Sequence, residues 1–184
     1  MFFKKGLCSI SNYERAYRIF LIAKSSIVEI DYNPNFRFGA NNKNEEHLKK
    51  LSLSQTPIFE SKSGLYLTKS DVIALYLVSQ KENNPLLGVD VNEYGKIFKY
   101  SFYISTQIDP FPIDLLFPII GFGECDKKIE ELKGRGCLVE NQFTLADIFI
   151  ICAIDDIYSK FYVKEHHDQY PNFAKYFEHI SQMP

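Results

Sequence analysis

The stretch Phe143–Ile154, FTLADIFIICAI, decides how the rest of the chain is read. Thr144 and Asp147 stand at capping-box spacing just ahead of an apolar run. In that arrangement the Thr144 hydroxyl accepts from the Asp147 N–H, and the Asp147 carboxylate accepts from the Thr144 N–H. Asp replaces the more usual Glu or Gln, and its charge faces the positive end of the helix dipole. Phe143 before the cap and Ile148 behind it occupy hydrophobic-staple positions. Ile148, Phe149, Ile150, Ile151, Cys152, Ala153 and Ile154 leave almost no polar side, the pattern of a helix sunk in a core. Asp147 therefore reads as a structural cap and not as a catalytic carboxylate.

On either side of this helix the chain reads as two domains of different kinds, residues 1–80 and 92–184, joined by a polar linker at 81–91. In the first, Met1–Lys5 is short enough for an opening strand that Gly6 closes. A helix follows from about Asn12 to Lys24, with Asn12 as its cap and Ala16, Ile19, Phe20 and Ala23 on one face. Ile27–Asp31 alternates and is rich in β-branched residues, so it reads as a strand parallel to the first. Tyr32–Lys43, with Pro34, Gly39 and several Asn, is a loop. A short helix over Asn44–Leu53 points Leu48 and Leu51 inward. Gln55–Glu60 and Leu65–Leu67 form a hairpin of antiparallel edge strands. Pro57 at the start of a strand cannot donate to a ladder, which points to a cis Thr56–Pro57 bond. Thr68 and Asp71 form a second capping box, opening a helix that runs through Val78.

No strand pattern returns after Gln80. A helix spans Asn92–Gln107, carrying Ile97, Tyr100, Phe102 and Ile104. Pro110, Pro112 and Pro118 break up the next segment. Glu124–Leu132 is a short helix stopped by Gly134 and Gly136. The buried helix at 144 comes next, then a helix from about Asp156 to Asp168. Pro171 opens the last one, Asn172–Gln182.

Composition narrows the function classes. The 184 residues carry a formal net charge of -2, which gives no bulk attraction to nucleic acid or to an anionic membrane. The lysine pairs Lys49-Lys50 and Lys127-Lys128 are too sparse for a nucleic-acid stripe. No apolar run approaches the ~20 residues of a membrane span. Met1-Phe-Phe-Lys-Lys lacks the order of a signal peptide, so a cytoplasmic location is expected. Cys8, Cys125, Cys137 and Cys152 show no C-x-x-C spacing, which fits reduced thiols and no metal site. Adjacent His166 and His167 point about 100° apart on a helix, so with Glu165 and Asp168 they form a solvated helix end. GFGEC at Gly121 lacks the strand-to-helix setting of a phosphate loop.

A small α/β domain followed by an all-helical one resembles the glutathione transferase superfamily. TPIFESKSGLYLTKSDVIALYL is similar to the second half of its thioredoxin-like domain, and FTLADIFI to the capping motif of its helical domain. Within that superfamily the chain resembles the transferase-like domain of the gamma-type subunits of translation elongation factor 1. NFRFGANNKNEEHLKKLSLSQTPIFE, LLGVDVNEYGKIFKYSFYIS, LFPIIGF, CLVENQFTLADIFI and the closing YPNFAKYFEHISQMP carry that likeness. The implied fold is an α/β thioredoxin-like domain plus an all-α domain. One helix of the helical domain is shortened, because only Glu124–Gly136 is left for it. The central helix, or its neighbours at Ile97 and Phe102, should then lack apolar cover unless Leu115–Ile120 folds back, or a partner docks, to supply it. The family's lysine-rich linker and second domain are not found after Pro184.

The resemblance also implies where a glutathione site would lie. Ile10 falls where catalytic members carry a Tyr, Ser or Cys, and it offers neither donor nor nucleophile. Ser9 and Ser11 flank it, and Cys8 reads as a small strand-end residue. Thr56 and Pro57 would shape the loop that pairs with glutathione backbone. Ser70 would meet the γ-glutamyl carboxylate at a helix N-terminus. Lys69, in place of the usual acid or amide, would repel the ammonium group. Thr68 and Ser70 otherwise serve as helix caps.

The expected protein is therefore no enzyme and binds no cofactor, glutathione included. The resemblance implies a scaffold that docks the exchange-factor subunit of elongation factor 1 and acts indirectly on elongation factor 1-alpha. A docking module for aminoacyl-tRNA synthetases and an active glutathione transferase are the alternatives, and a homodimer stays open.

Overall fold

The computed structural model describes residues 6–9, 14–37, 39–43, 45, 48, 56–109, 136–139, 142–161, 168 and 171–183. The chain divides into two compact units, Met1–Glu82 and Asn83–Pro184. The first holds strand β1 (Gly6–Cys8), helix α1 (Glu14–Ser25), strands β2 (Ile58–Glu60) and β3 (Tyr66–Thr68), and helix α2 (Ser70–Val78). The second holds helix α3 (Val91–Tyr103), helix α4 (Leu145–Phe161) and helix α5 (Pro171–Ser181).

The sheet of the first unit has the order β1-β2-β3. Leu7 pairs with Phe59 and Phe59 with Leu67, both antiparallel. β2 is thus internal and not an edge strand, a correction to the hairpin reading. β1 includes Gly6, which therefore does not close a strand; residues 1–5 lie outside the described set. Ile27–Asp31 forms no strand. What survives of the parallel pairing is one bridge from Leu7 to Tyr32, with Leu7 N–H donating to Asp31 O at 2.7 Å. The Asp31 backbone comes so close that a Cβ on Gly6, whose φ is +137°, would run into the Asp31 carbonyl. Only glycine fits there.

The failed strand has a physical cause. Val28 N–H donates to Ala23 O at 2.8 Å and Ile27 N–H to Lys24 O at 3.1 Å, the closing bonds of a helix end. Ile27 is the residue that turns the chain, at φ 57°, and it is 83% exposed. Alternation at 27–31 was the accident of a helix terminus. Inside the unit α1 packs on α2, and Leu7, Ile19, Ile22, Ile58, Ile73 and Leu77 are buried. Phe20 meets Tyr32 edge to face at 5.5 Å. Leu48 is 41% exposed and does not point inward; Leu51 lies outside the described residues.

In the second unit Asn84 opens a 3-10 turn at Pro85–Leu87 by accepting from Leu86 N–H at 3.1 Å. Asp90 caps α3, its carboxylate accepting from Asn92 N–H at 2.7 Å and Glu93 N–H at 2.9 Å. α3 does not stay regular to Gln107. It loosens into a π-helical segment at Ile104–Ile108, closed by Asp109 N–H to Ile104 O at 2.9 Å. α4 packs against α3, the π segment and α5. It runs unbroken from Leu145 to Phe161, merging two expected helices, because neither Gly nor Pro interrupts it. Ile148, Phe149, Cys152, Ala153 and Ile154 are buried and Ile150 and Ile151 half-buried, so this helix does not lack cover. Each large side chain so buried contributes roughly 1.5–3 kcal/mol. The shortened helix, GFGEC, both lysine pairs, His166-His167 and the Leu115–Ile120 infill fall outside the described residues.

Candidate functional site

The residues expected around a glutathione site come from the ends of β1, β2 and α2, all in the first unit. β1 delivers Ser9, which is buried, and its carbonyl accepts from Tyr32 Oη at 3.3 Å. The Ser9 hydroxyl has no hydrogen-bond partner among the described residues. Ile10 and Ser11 lie outside them, as does the Cys8 side chain. The Thr56–Pro57 bond is cis, as the strand-entry argument expected, with Thr56 half-buried and Pro57 buried.

The start of α2 differs from the expected capping box. Thr68 is still in the sheet, paired with Ile58, so it cannot cap. Lys69 occupies the N-cap position at φ 70° and makes no side-chain capping bond. Such a backbone conformation costs a non-glycine residue about 1–3 kcal/mol. Ser70 is the first helical residue and is buried, and its hydroxyl donates to Asp71 Oδ1 at 3.1 Å. The same oxygen lies 3.8 Å from Nη1 of Arg18, which is fully buried on α1. Asp71 thus faces a buried cation. The sequence reading overlooked Arg18. It shares the helical row of Ile22, and a charge inside an apolar row was the available signal.

The second unit holds a more closely bonded group, centred on Asp147. Its Oδ2 accepts from the Thr144 N–H at 2.9 Å and the Thr144 hydroxyl at 3.0 Å. Its Oδ1 accepts from the Leu138 N–H at 2.8 Å and the Tyr176 hydroxyl at 2.9 Å. The carboxylate half of the expected box is present. The Thr144 hydroxyl, however, donates to the carboxylate and does not accept, while the Asp147 N–H goes to the Thr144 carbonyl at 3.1 Å. Burial pushes the Asp147 carboxyl upward, opposed by the bonds from Leu138, Thr144 and Tyr176. Burial and then the Asp147 charge raise the Tyr176 hydroxyl well above its ordinary value, so it stays a donor. Nearby Cys137 is buried, and its thiol is pushed up to about 11 by burial and then by Asp147. It is an unreactive thiol. This group ties the 136–139 turn, α4 and α5 together. Among the described residues no cluster of His, Cys, Asp and Glu forms a metal site, and no helix is long and apolar enough to cross a membrane.

The family described as Glutathione S-transferase, N-terminal domain, matches residues 7–79, and Glutathione S-transferase, C-terminal domain, matches residues 127–184. The chain belongs to the glutathione S-transferase family. Within it, the chain is similar to Elongation factor 1-gamma 1 of Oryza sativa subsp. japonica, 27% identical over 93% of this chain and 44% of that one. It therefore spans less than half the length of that relative. It is also similar to Glutathione S-transferase psoE of Aspergillus fumigatus, 28% identical over 92% of this chain and 76% of that one. A solved glutathione transferase of Bombyx mori shares the fold, with a TM-score of 0.81 at 19% identity, over 96% of this chain and 86% of that one.

Proposed function

We propose that this chain is a non-catalytic docking domain of the translation elongation factor 1 exchange complex. It holds the exchange-factor subunit and so serves elongation factor 1-alpha indirectly, in the cytoplasm and without glutathione. The observation that carries this reading is the start of α2, where the cationic Lys69 stands at the N-cap, exposed, beside a serine whose hydroxyl already serves Asp71. A lysine there offers no acceptor to an ammonium group and repels it. The likeness to elongation factor 1-gamma chains over nearly the whole sequence supports the choice of that assembly. Mixing the purified chain with the exchange-factor subunit of the same source tests it. A stable complex on gel filtration is expected. Co-purification of aminoacyl-tRNA synthetases without elongation factor 1 subunits would move the chain to the other docking assembly.

A second reading, an active transferase, draws on the buried Ser9 hydroxyl at the end of β1 and on the similarity to a glutathione S-transferase. Thiol conjugation abolished by Ser9→Ala or Ser11→Ala would establish it in place of the first.

A further inference from the structure

The segment 84–89, at the start of the second unit, is held near each end by a side chain from outside it. At its start Gln142 Nε2 donates to the Pro85 carbonyl at 2.6 Å, across 57 residues of sequence. At its end the Val89 N–H donates to Glu93 Oε2 at 2.9 Å. Between these two points the segment is bonded to itself. Asn84 Oδ1 accepts from the Leu86 N–H at 3.1 Å and the Asn84 carbonyl from the Leu87 N–H at 3.0 Å. The Pro85 carbonyl also accepts from the Gly88 N–H at 3.1 Å. A piece so bonded internally keeps its own shape when its ends are released.

Its inner side is apolar and rests on α3. Leu86 is buried, and the turn at Pro85–Leu87 packs against that helix. Gly88 holds φ 77°, and a Cβ there would lie 2.7 Å from Glu93 Cβ and 3.3 Å from Ile97 Cδ1. The Gly88 backbone therefore sits directly over the fully buried Ile97, where only glycine fits. The outer side faces solvent: Pro85 and Val89 are exposed, as are Lys81, Glu82 and Asn83 just ahead. Lifting the segment breaks two side-chain bonds and uncovers two aliphatic side chains, while every helical bond of α3 and α4 stays in place. Local openings of that kind lie well below global unfolding in free energy.

We propose that residues 84–89 form a strap over the first turns of α3 that opens as one body, with Gln142 and Glu93 as its two clasps. The open form brings Leu86 and Ile97 to the surface while the helices remain folded, so the clasps set access to that apolar spot. This conformational device goes beyond the docking reading and does not depend on it.

Hydrogen exchange of the full chain, read amide by amide by NMR at one pH, tests the proposal with two variants. Gln142→Met and Glu93→Met each remove one clasp, and one lost hydrogen bond shifts an opening equilibrium about fivefold. Either variant should speed the amides of Leu86, Leu87, Gly88 and Val89 together by about that factor, while Ser101 in α3 and Ile148 in α4 keep their native rates. The readout crosses the strap: Gln142→Met must reach the Val89 amide, and Glu93→Met must reach those of Leu86 and Leu87. Glu93→Gln, which keeps an acceptor for Val89, should return all four amides to near-native exchange. Effects confined to the amides beside the altered clasp would overturn the single-body opening. An equal rise at Ser101 would overturn it as well, because the event would then be unfolding of the unit. Unchanged exchange in both variants would show that neither side chain is a clasp.

Discussion

Two helices of this chain are preceded by the same pattern, Thr-x-x-Asp, and only one builds a cap from it. Thr68-Lys69-Ser70-Asp71 and Thr144-Leu145-Ala146-Asp147 are indistinguishable by spacing. At α4 the helix begins at Leu145, directly after Thr144, so Asp147 reaches back to the Thr144 N–H. At α2 the threonine belongs to β3 and the helix begins two residues later. The fully buried Arg18 then faces the Asp71 carboxylate. A local motif becomes a cap only where the ladder leaves its first residue free and no buried charge competes for its last.

The contrast predicts unequal costs. Asp147→Ala should destabilise the second unit by about 3–5 kcal/mol, since the half-buried Leu138 N–H and the buried Thr144 N–H and Tyr176 hydroxyl all lose their acceptor. Asp71→Ala should cost less, about 1–3 kcal/mol: its carboxylate is partly exposed, but its loss takes an ionic partner from the fully buried Arg18 and an acceptor from the Ser70 hydroxyl. Urea unfolding of both variants checks this, and equal losses would erase the distinction. Tyr176→Phe should lie between them, at about 1.5–3 kcal/mol for a bond to a charged acceptor.

Asp147 also sets a pH dependence. Burial raises its folded-state pKa above the unfolded carboxylate value, so the native state holds the proton more tightly. Stability from this source is complete below the unfolded pKa and is lost as pH rises through the folded one. The native chain should therefore lose stability relative to Asp147→Asn between about pH 4 and the raised value, and the difference should be flat above it. A difference that grows with pH would mean that the four hydrogen bonds outweigh burial.

The smallest effects concern the backbone. Ile27→Gly and Lys69→Gly should each stabilise by about 1 kcal/mol, because both native residues hold left-handed φ values of 57° and 70°. Thermal melting at one fixed pH measures both.

How much was legible in the sequence follows the same division. The cis Thr56–Pro57 bond, the buried α4 and the Pro171 start were readable, since each rests on one residue type with a strong backbone or burial preference. The strand expected at Ile27–Asp31 was not, because alternation cannot distinguish a strand from a helix end turned by a β-branched residue. The links of Asp147 to Leu138 and Tyr176, and of Asp71 to Arg18, lay beyond local spacing. They depend on packing between elements far apart in the chain. Around the expected glutathione positions the residue types were readable, but the exchange of capping roles among Thr68, Lys69 and Ser70 was not.

Calorimetric titration of glutathione into the purified chain tests the central claim most directly. Titrating Lys69→Gln alongside it isolates the contribution of the lysine. No saturable heat is expected for the native chain up to millimolar glutathione, and no thiol conjugation of an electrophilic substrate. Saturable binding by the native chain, with turnover that disappears in Ser9→Ala or Ser11→Ala, would contradict it.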